Sequence, residues 1–313
     1  MKIVFMGTPE FAVPCLKALC ESGEDVTAVF TMPDKPKGRG LKLTPPPIKE
    51  YALEKGIPVY QPKSLKKGDD AEDAYEALKK LEPELIVVVA YGNILPKRIL
   101  EIPAAYCINI HASLLPKYRG ASPMQTCILR GESVTGVTSM IMEEGLDSGD
   151  MIFKEQLEIG ENETAAELHD RLSELGSRVL LKTVSAIKSG DIPREKQRDE
   201  LSCYAPMLTK DMCPIDFNKP ACEVHRQVRG LSDWPCAEAL VNGKKLKIYH
   251  SRLEGRHYDL PAGTLCNEKN FTVVCGDGMG IVFTEIQAQG GKRMKSEDYL
   301  RGNRLEKNAM LGN

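Results

Sequence analysis

The sequence has no hydrophobic run long enough to cross a membrane. Its longest apolar stretch, residues 85–90, is the length of a strand, whereas a membrane span needs about 18 apolar residues. The opening residues, MKIVFMGTPEF, also lack the apolar segment and the small-residue cleavage site of a secretory signal. These absences predict a cytoplasmic protein without a membrane partner.

Metal-binding patterns are missing as well. The ten cysteines form no C-x-x-C, and the closest pair, Cys15 and Cys20, is five residues apart. No two of the five histidines have zinc-like spacing. We therefore expect no metal site, and we interpret the cysteines as free thiols that pack as small hydrophobic side chains.

The chain carries no strong net charge of either sign. Its 42 Lys and Arg against 44 Asp and Glu leave a net charge of −2. The charge is unevenly distributed, because residues 207–313 carry +3 and residues 1–206 carry −5. Within the acidic part, residues 33–49 hold a local charge of +4. This pattern permits a polyanionic partner that contacts one loop and the C-terminal part.

Short apolar runs alternate with helical patterns over the first 190 residues. Expected strands lie at 2–6, 26–31, 57–60, 84–90 and 106–110, and expected helices at 10–21, 48–55 and 71–81. Antiparallel strands follow at 137–142 and 151–157, and Thr164 with Glu167 forms a capping box for a helix that ends near 189–190. The alternation predicts an α/β domain with a mainly parallel sheet.

The pattern changes after a polar stretch at 191–206, which we interpret as a linker. Short strands at 237–241, 245–251, 263–266, 271–275 and 281–286 are typical of a small barrel or sandwich, with helices at 221–229 and 296–301. The sequence thus predicts a first domain at 1–190 and a second at 207–313.

No nucleotide-binding or hydrolase fingerprint is present. The first strand is followed by G-T-P-E-F, with one glycine where a dinucleotide fold needs three. The segment N-I-H at 109–111 is more informative, because Asn109 and His111 point to one side at the end of a buried strand. An amide beside an imidazole can polarise a carbonyl, although an isolated N-x-H also fits a structural histidine.

A carboxylate follows at a suitable place. Asp147 lies in the glycine-flanked turn G-L-D-S-G-D, 36 residues after His111. A carboxylate that reached the imidazole would fix its tautomer and favour its protonated form. Read locally, the same aspartate fits a plain turn-forming role equally well.

Taken in order, N-I-H, S-L-L-P-K-Y-R-G-A-S-P and G-L-D-S-G-D resemble the signature of the 10-formyltetrahydrofolate-dependent formyltransferases. The segments M-G-T-P-E-F-A, T-M-P-D-K-P-K-G-R-G and Y-A-P-M-L-T-K extend the resemblance, over essentially the whole chain, to the branch that formylates methionyl-initiator tRNA. The resemblance implies a Rossmann-like catalytic domain, a linker and an OB-like tRNA-binding barrel. It also implies 10-formyltetrahydrofolate as formyl donor and methionyl-initiator tRNA as acceptor, and no protein partner is predicted.

The resemblance assigns Asn109, His111 and Asp147 as the catalytic trio. It further implies a folate site whose members lie on three segments: Ser113, Leu114, Leu115 and Pro116; Tyr91, Gly92, Asn93 and Leu95; Met142 and Glu143. The basic loop at 32–47 is expected to reach the acceptor end of tRNA through Lys35, Lys37, Arg39 and Lys42.

Two other functions stay open on the sequence alone. The catalytic core fits a folate formyltransferase that acts on a small amine, such as a nucleotide sugar, but the basic loop and the barrel have no use there. A nucleic-acid-binding module with an inert α/β domain would leave Asn109, His111 and Asp147 without a role.

Overall fold

The structure is a computed structural model that describes residues 1–37, 40, 42–267, 270–303, 305–306 and 309–312. Two compact units are present, each assembled from three stretches of chain. Unit 1 comprises Met1–Gly120, Gly136–Leu157 and His169–Tyr204, and unit 2 comprises Ala121–Thr135, Glu158–Leu168 and Ala205–Asn313. The domain boundaries at 190 and 207 stay a prediction.

The strands are β1 (Lys2–Gly7), β2 (Asp25–Phe30), β3 (Lys35–Lys37), β4 (Lys42–Thr44), β5 (Val59–Tyr60), β6 (Leu85–Val89), β7 (Tyr106–His111), β8 (Arg119–Gly120), β9 (Val134–Ile141), β10 (Met151–Glu158), β11 (Tyr204–Ala205), β12 (Ala237–Val241), β13 (Lys244–His257), β14 (Leu265–Asn267), β15 (Thr272–Val274), β16 (Met279–Ala288), β17 (Met294–Lys295) and β18 (Leu311–Gly312). The helices are α1 (Val13–Glu21), α2 (Pro47–Glu54), α3 (Asp69–Leu81), α4 (Lys97–Leu100), α5 (Pro123–Leu129), α6 (Ala165–Ser189), α7 (Ala221–Leu231) and α8 (Ser296–Gly302). Short 3-10 helices lie at Glu10–Ala12, Asp199–Leu201 and Lys210–Met212.

The main sheet of unit 1 has the strand order β10-β9-β7-β6-β1-β2-β5. Strands β5, β2, β1, β6 and β7 run parallel, and β9 is antiparallel to β7. All five residues of β6 are buried, as expected for a parallel strand that is covered on both faces. The predicted α/β domain with a mainly parallel sheet is confirmed.

The order in which strands are added to the sheet reverses between β1 and β6. It runs from β1 outward through β2 to β5, and β6 then returns to the other side of β1. Open α/β sheets bind their ligands at such a switch point, outside the carboxyl ends of the strands. The fold therefore marks the loops after β1, β6 and β7 as the place to look for a site.

The predicted capping box at the start of α6 is confirmed. The Thr164 backbone N–H donates to Glu167 Oε2 at 2.8 Å, and the Glu167 backbone N–H donates to Thr164 Oγ1 at 3.3 Å. Each side chain therefore satisfies a backbone donor that the first helical turn leaves without a partner.

The predicted linker at 191–206 is tied into regular structure. The Met151 and Glu195 backbones exchange two 2.9 Å hydrogen bonds, and β11 pairs with β8. The polar sequence of this segment gave no sign of these bonds, because they are made by backbone groups and carry no side-chain pattern.

Unit 2 contains a separate sheet with the order β14-β15-β16-β13-β12-β18, and β17 pairs with β16. The named strand pairs of this sheet are antiparallel within the described residues. Its two ends are joined, since Leu265 N–H donates to the Ala309 carbonyl and Leu311 N–H to the Gly263 carbonyl, each at 2.8 Å. The second, antiparallel domain is confirmed, and its OB-like topology stays a prediction.

His225 on α7 is enclosed in unit 2 and provides a test of pH-dependent stability. Its Nδ1 lies 2.8 Å from Ser251 Oγ and its Nε2 3.1 Å from the Glu161 carbonyl oxygen. Burial, with a smaller contribution from Arg229, lowers the pKa of His225 to about 4 from an ordinary value of 6.5. The folded state therefore prefers the neutral ring, and its stability is complete above pH 6.5 and falls as the pH drops from 6.5 to 4.

We expect the free energy of unfolding to lose on the order of 3 kcal/mol through His225 across that interval. The measurement is urea unfolding between pH 7 and 4 for the wild type and for His225→Gln, which keeps a donor and an acceptor. The variant should show a shallower slope. Equal slopes in the two proteins would mean that other groups produce the acid sensitivity.

Candidate functional site

The loops that follow β1 and β6 are tied together across the switch point. Thr8 Oγ1–H donates to the Tyr91 carbonyl oxygen at 2.6 Å, and the Met32 N–H donates to Thr8 Oγ1 at 3.3 Å. The backbone turns sharply here, because Ala90 and Gly92 have φ values of 46° and 88°. These bonds fix the loops at the carboxyl ends of β1 and β6, beside the end of the neighbouring strand β7.

The structure brings the three predicted catalytic side chains together. Asn109 and His111 end β7, and Asp147 lies in the loop between β9 and β10. That loop begins alongside β7, because the Met142 N–H donates to the Cys107 carbonyl at 2.8 Å. Further along, Asp147 Oδ1 lies 3.5 Å from Asn109 Nδ2, and Asp147 Oδ2 lies 3.7 Å from His111 Nδ1.

Asp147 is held in an unusual backbone conformation. Its φ of 48° is in the left-handed region, which disfavours residues with a Cβ. Gly149 permits the tight turn, because a Cβ there would overlap the Ile141 carbonyl oxygen. The carboxylate is fixed by the Gly120 N–H, which donates to Oδ2 at 2.9 Å.

Both nitrogens of the His111 ring face acceptors. Nε2–H donates to the Tyr118 carbonyl oxygen at 3.0 Å, while Nδ1 faces the Asp147 carboxylate. The ring is only 7% exposed, so these two neighbours fix its orientation away from solvent.

The predicted segment Ser113, Leu114, Leu115 and Pro116 begins two residues after His111. Thr138 on β9 organises it, because its hydroxyl donates to the Ser113 carbonyl at 2.7 Å and accepts from the Leu115 N–H at 3.1 Å. Ser113 Oγ–H in turn donates to the Lys117 carbonyl at 2.7 Å. The Ser113 hydroxyl therefore stabilises the turn, and Leu115 packs with Met140 and Met151.

The other predicted folate residues belong to a different apolar cluster. Tyr91 and Leu95 are buried in the core around β6, and Met142 packs against it. Burial raises the pKa of the Tyr91 phenol well above its usual range, so the hydroxyl stays neutral. Gly92 and Glu143 are exposed, Asn93 is half-buried, and the neighbouring Ile94 is 61% exposed. The structure thus brings Tyr91, Leu95 and Met142 together and places Leu115 in a separate cluster.

The basic loop forms a β-hairpin that the sequence analysis did not predict. Strands β3 and β4 are antiparallel, with Lys37 opposite Lys42 and Lys35 opposite Thr44. Lys35 and Lys42 are exposed, and Arg39 lies outside the described residues. Lys49 is neutralised by Asp34, with Nζ 2.8 Å from Oδ1, so it adds little to the charge of the hairpin.

The cysteines are free thiols, of which six are buried as small hydrophobic side chains, whereas Cys222 is exposed and does not fit that interpretation. Burial raises the pKa of Cys15, Cys236 and Cys275 to about 12, so these thiols stay protonated and unreactive. Across the described ranges, no group of three or more His, Cys, Asp or Glu is arranged to hold a metal ion. In the same residues, no helix combines the length and apolar character that a membrane crossing requires.

Sequence reasoning missed two side chains beside the trio. Gln197 lies in the predicted linker and is 6% exposed, and its Nε2 donates to the Asp147 and Gly149 carbonyls at 2.8 Å each. Arg119, in the motif K-Y-R-G, donates to Gln197 Oε1 at 3.0 Å. Nothing in the polar composition of 191–206 marked one glutamine as buried.

Comparison with known proteins matches both parts of the chain to formyl transferases. A family model described as formyl transferase matches residues 1–184, and one described as formyl transferase, C-terminal domain, matches residues 207–304. A relative from Alkaliphilus oremlandii named methionyl-tRNA formyltransferase is 49% identical over 314 residues, covering 100% of both chains. One of the same name from Trichlorobacter lovleyi is 47% identical over 311 residues, covering 99% of this chain and 96% of its own.

A solved structure shares the fold at lower identity. The N-formyltransferase from Helicobacter canadensis, in complex with folinic acid and dTDP-3-aminofucose, has a TM-score of 0.70 at 24% identity, covering 92% of this chain and 100% of its own. That likeness shows the fold alone. Because the formyl transferase model spans more than half of the sequence and the named relatives are nearly half identical throughout, this chain belongs to the formyl transferase family.

Proposed function

We propose that this chain transfers the formyl group of 10-formyltetrahydrofolate to the α-amino group of methionyl-initiator tRNA. The observation that carries the proposal is the meeting of Asp147 with Asn109 and His111 at the end of β7. The chain around that site is 47–49% identical, end to end, to relatives named methionyl-tRNA formyltransferase.

Asn109 and His111 stabilise the negative charge that forms on the formyl oxygen in this scheme. Attack of a neutral amine on a formyl carbon places negative charge on the formyl oxygen. One N–H of the Asn109 amide faces Asp147, and we assign the other to that oxygen. We assign to His111, held between Tyr118 and Asp147, the role of a protonated ring that adds positive charge beside that oxygen. Such preorganised groups stabilise the transition state more than the ground state.

Asp147 has two tasks in this scheme. Its Oδ2 faces the His111 ring and accepts from Gly120, so this oxygen orients the imidazolium. Within the part of the chain that the structure describes, its Oδ1 accepts one hydrogen bond, at 3.5 Å from Asn109 Nδ2, and retains lone pairs. We assign to Oδ1 the proton that the α-amino group loses after attack, delivered directly or through water. The tetrahedral intermediate then collapses with cleavage of the bond between the formyl carbon and N10, and the same proton passes to N10 of the departing tetrahydrofolate.

The folate assignment rests on the surroundings of the trio. Tyr91, Leu95 and Met142 form an apolar cluster beside the switch point, and Ile94 and Leu146 are 61% and 55% exposed. A flat heterocycle suits apolar walls with nearby backbone groups. The exposed backbone at Gly92 and the turn at Ser113–Pro116 offer such groups, so the residues predicted for the folate site are kept as part of the proposal.

The acceptor assignment rests on the hairpin and on the second domain. Lys35 and Lys42 are exposed, and positive charge on an exposed hairpin suits contact with a phosphate backbone. The proposal keeps residues 1–190 as catalytic domain, 191–206 as linker and 207–313 as OB-like tRNA-binding domain. It also implies a cytoplasmic location, where aminoacyl-tRNA is used.

A formylation assay tests the proposal directly. The protein is incubated with 10-formyltetrahydrofolate and one of three acceptors: methionyl-initiator tRNA, methionyl-elongator tRNA or a dTDP-amino sugar. Mass spectrometry of the released methionine or of the sugar shows which amine gains a formyl group. Formylation of the initiator tRNA supports the proposal, whereas formylation of the sugar alone would replace it with a small-amine transferase.

The basic residues of the loop at 32–47 provide a further prediction. We expect the triple change Lys35→Ala, Arg39→Ala and Lys42→Ala to lower kcat/KM for methionyl-tRNA about tenfold or more and to leave the KM for folate unchanged. Each lost phosphate contact should also flatten the slope of log Kd against log salt by about 0.7–0.9. The readout is tRNA binding at several salt concentrations.

The matched control is Lys80→Ala, which removes an exposed lysine from α3 in the same unit. It should leave kcat/KM and the salt slope within about twofold of the wild type. An unchanged slope in the triple variant would move the tRNA contact away from the hairpin.

A further inference from the structure

Gln197 bridges the loop that carries Asp147. Its Nε2 donates to two carbonyl oxygens of that loop, those of Asp147 and Gly149, at 2.8 Å each. The side chain is 6% exposed, so these bonds are shielded from solvent. A buried amide with both donors engaged on one turn fixes the path of that turn.

Arg119 determines which way the Gln197 amide points. Arg119 Nε–H donates to Gln197 Oε1 at 3.0 Å, and an arginine has no acceptor to offer. The amide oxygen must therefore face Arg119 and the amide NH2 must face the two carbonyls. Only one of the two amide orientations satisfies all three partners.

The conformation of Asp147 needs such support. Its φ of 48° lies in the left-handed region, which residues with a Cβ adopt uncommonly. Without the bonds to the carbonyls of Asp147 and Gly149, the turn is free to relax toward a less strained backbone. The carboxylate would then move away from its two neighbours. Its Oδ2 lies 3.7 Å from His111 Nδ1 and its Oδ1 lies 3.5 Å from Asn109 Nδ2, so a small shift would break both contacts.

Arg119 also links the turn to the neighbouring strand. The backbone N–H of its neighbour Gly120 donates to Asp147 Oδ2, and its own N–H donates to the Cys203 carbonyl at 2.9 Å. Strands β8 and β11 therefore fix the Arg119 backbone, from which the guanidinium reaches Gln197. The Asp147 carboxylate and the Asp147 backbone are thus held by one connected set of bonds.

We propose that Gln197, oriented by Arg119, is a positioning residue that holds Asp147 in the geometry required for formyl transfer. This inference rests on the proposed function for its kinetic test. It predicts that Gln197 acts on kcat through Asp147 and makes no contact with either substrate.

The first variant is Gln197→Met, which keeps the length of the side chain and removes its donors and acceptor. We expect kcat for formylation of methionyl-tRNA to fall about 10- to 100-fold, because a displacement of about 1 Å at a reacting group costs up to that much. KM for folate and for methionyl-tRNA should stay within about twofold. Gln197→Glu keeps the acceptor for Arg119 but not the donors, and it should be equally slow.

A double-mutant cycle separates positioning from a general structural role. In the Asp147→Asn background, Gln197→Met should cost less than about twofold in kcat, because the group through which it acts is already altered. Arg119→Met should lower kcat by less than Gln197→Met, and the two changes should not be additive. Additive losses in both cycles would overturn the inference.

Asp199→Asn is the matched control. Asp199 is an exposed partner of the Arg119 guanidinium, with Oδ1 2.9 Å from Nη2, and it makes no contact with the loop in the described structure. This variant should retain kcat within about twofold. A loss equal to that of Gln197→Met would mean that the ion pair matters and that the Gln197 amide does not.

A second readout does not depend on activity. Hydrogen exchange of the backbone amides at 145–150 should accelerate in Gln197→Met while exchange in β6 stays unchanged. Wild-type protein that formylates neither tRNA nor sugar would refute the proposed function and leave this exchange result standing. Active wild type together with unchanged kcat and exchange in Gln197→Met would refute the positioning role alone.

Discussion

Replacing His111 with alanine is expected to lower kcat about 10²–10⁴-fold while leaving folate binding largely intact. In the proposed scheme the ring meets charge that develops only in the transition state, so its loss raises the barrier without weakening the ground state. The measurement is single-turnover formylation of methionyl-tRNA, with folate affinity determined by titration. Asn109→Ala should fall in the same range, because it removes the amide donor beside the ring.

His169→Ala is the control for this experiment. His169 is the other histidine of unit 1, and it lies on α6 with its ring edge against Phe11. It should keep nearly full turnover. Near-wild-type kcat in both His111→Ala and Asn109→Ala would remove these residues from the mechanism, whatever their geometry.

Asp147→Asn is expected to lower kcat about 10²-fold with the fold preserved. The asparagine has nearly the same shape and can still accept from the Gly120 N–H. Its NH2 group, however, has two possible positions. In one it faces the NH2 group of Asn109, which is also a donor, and in the other it replaces the acceptor beside His111. The variant therefore loses both the counter-charge of the imidazolium and the base that takes the proton of the amine.

The control for this variant is Asp150→Asn, in the same loop. Asp150 is paired with Arg194, at 2.8 Å from Nη2, so its loss affects an ion pair at the surface. The free energy of unfolding of both variants should stay near that of the wild type. Turnover of Asp147→Asn within about threefold of the wild type would reduce Asp147 to a turn residue.

The sequence predicted the sheet of unit 1 well because its strands leave a clear pattern. Strands β1, β6 and β7 are apolar runs that become buried on both faces, and turns or helical patterns flank each of them. The hairpin of β3 and β4 left no such pattern. It is rich in lysine and proline, and its two strands pair through backbone groups, which leave no periodic pattern in the sequence.

The site could be predicted only in part for a similar reason. Two-residue spacing was enough to place Asn109 and His111 on one side of β7, and the motif order suggested Asp147 as their partner. The left-handed backbone of Asp147 and the burial of Gln197 depend on contacts between residues 50 positions apart in the chain. Local periodicity carries no information about such contacts.

A polypeptide that ended at residue 190 would retain Asn109, His111 and Asp147 and still lack two of their supports. It would have no Gln197 for the Asp147 turn, and no β11 to pair with β8 and fix the Gly120 N–H. The Ala205 carbonyl also accepts from the Ala121 N–H at 2.9 Å. A catalytic half exchanged between relatives should therefore carry residues 191–205 with it, because those residues support the Asp147 turn and the β8 backbone.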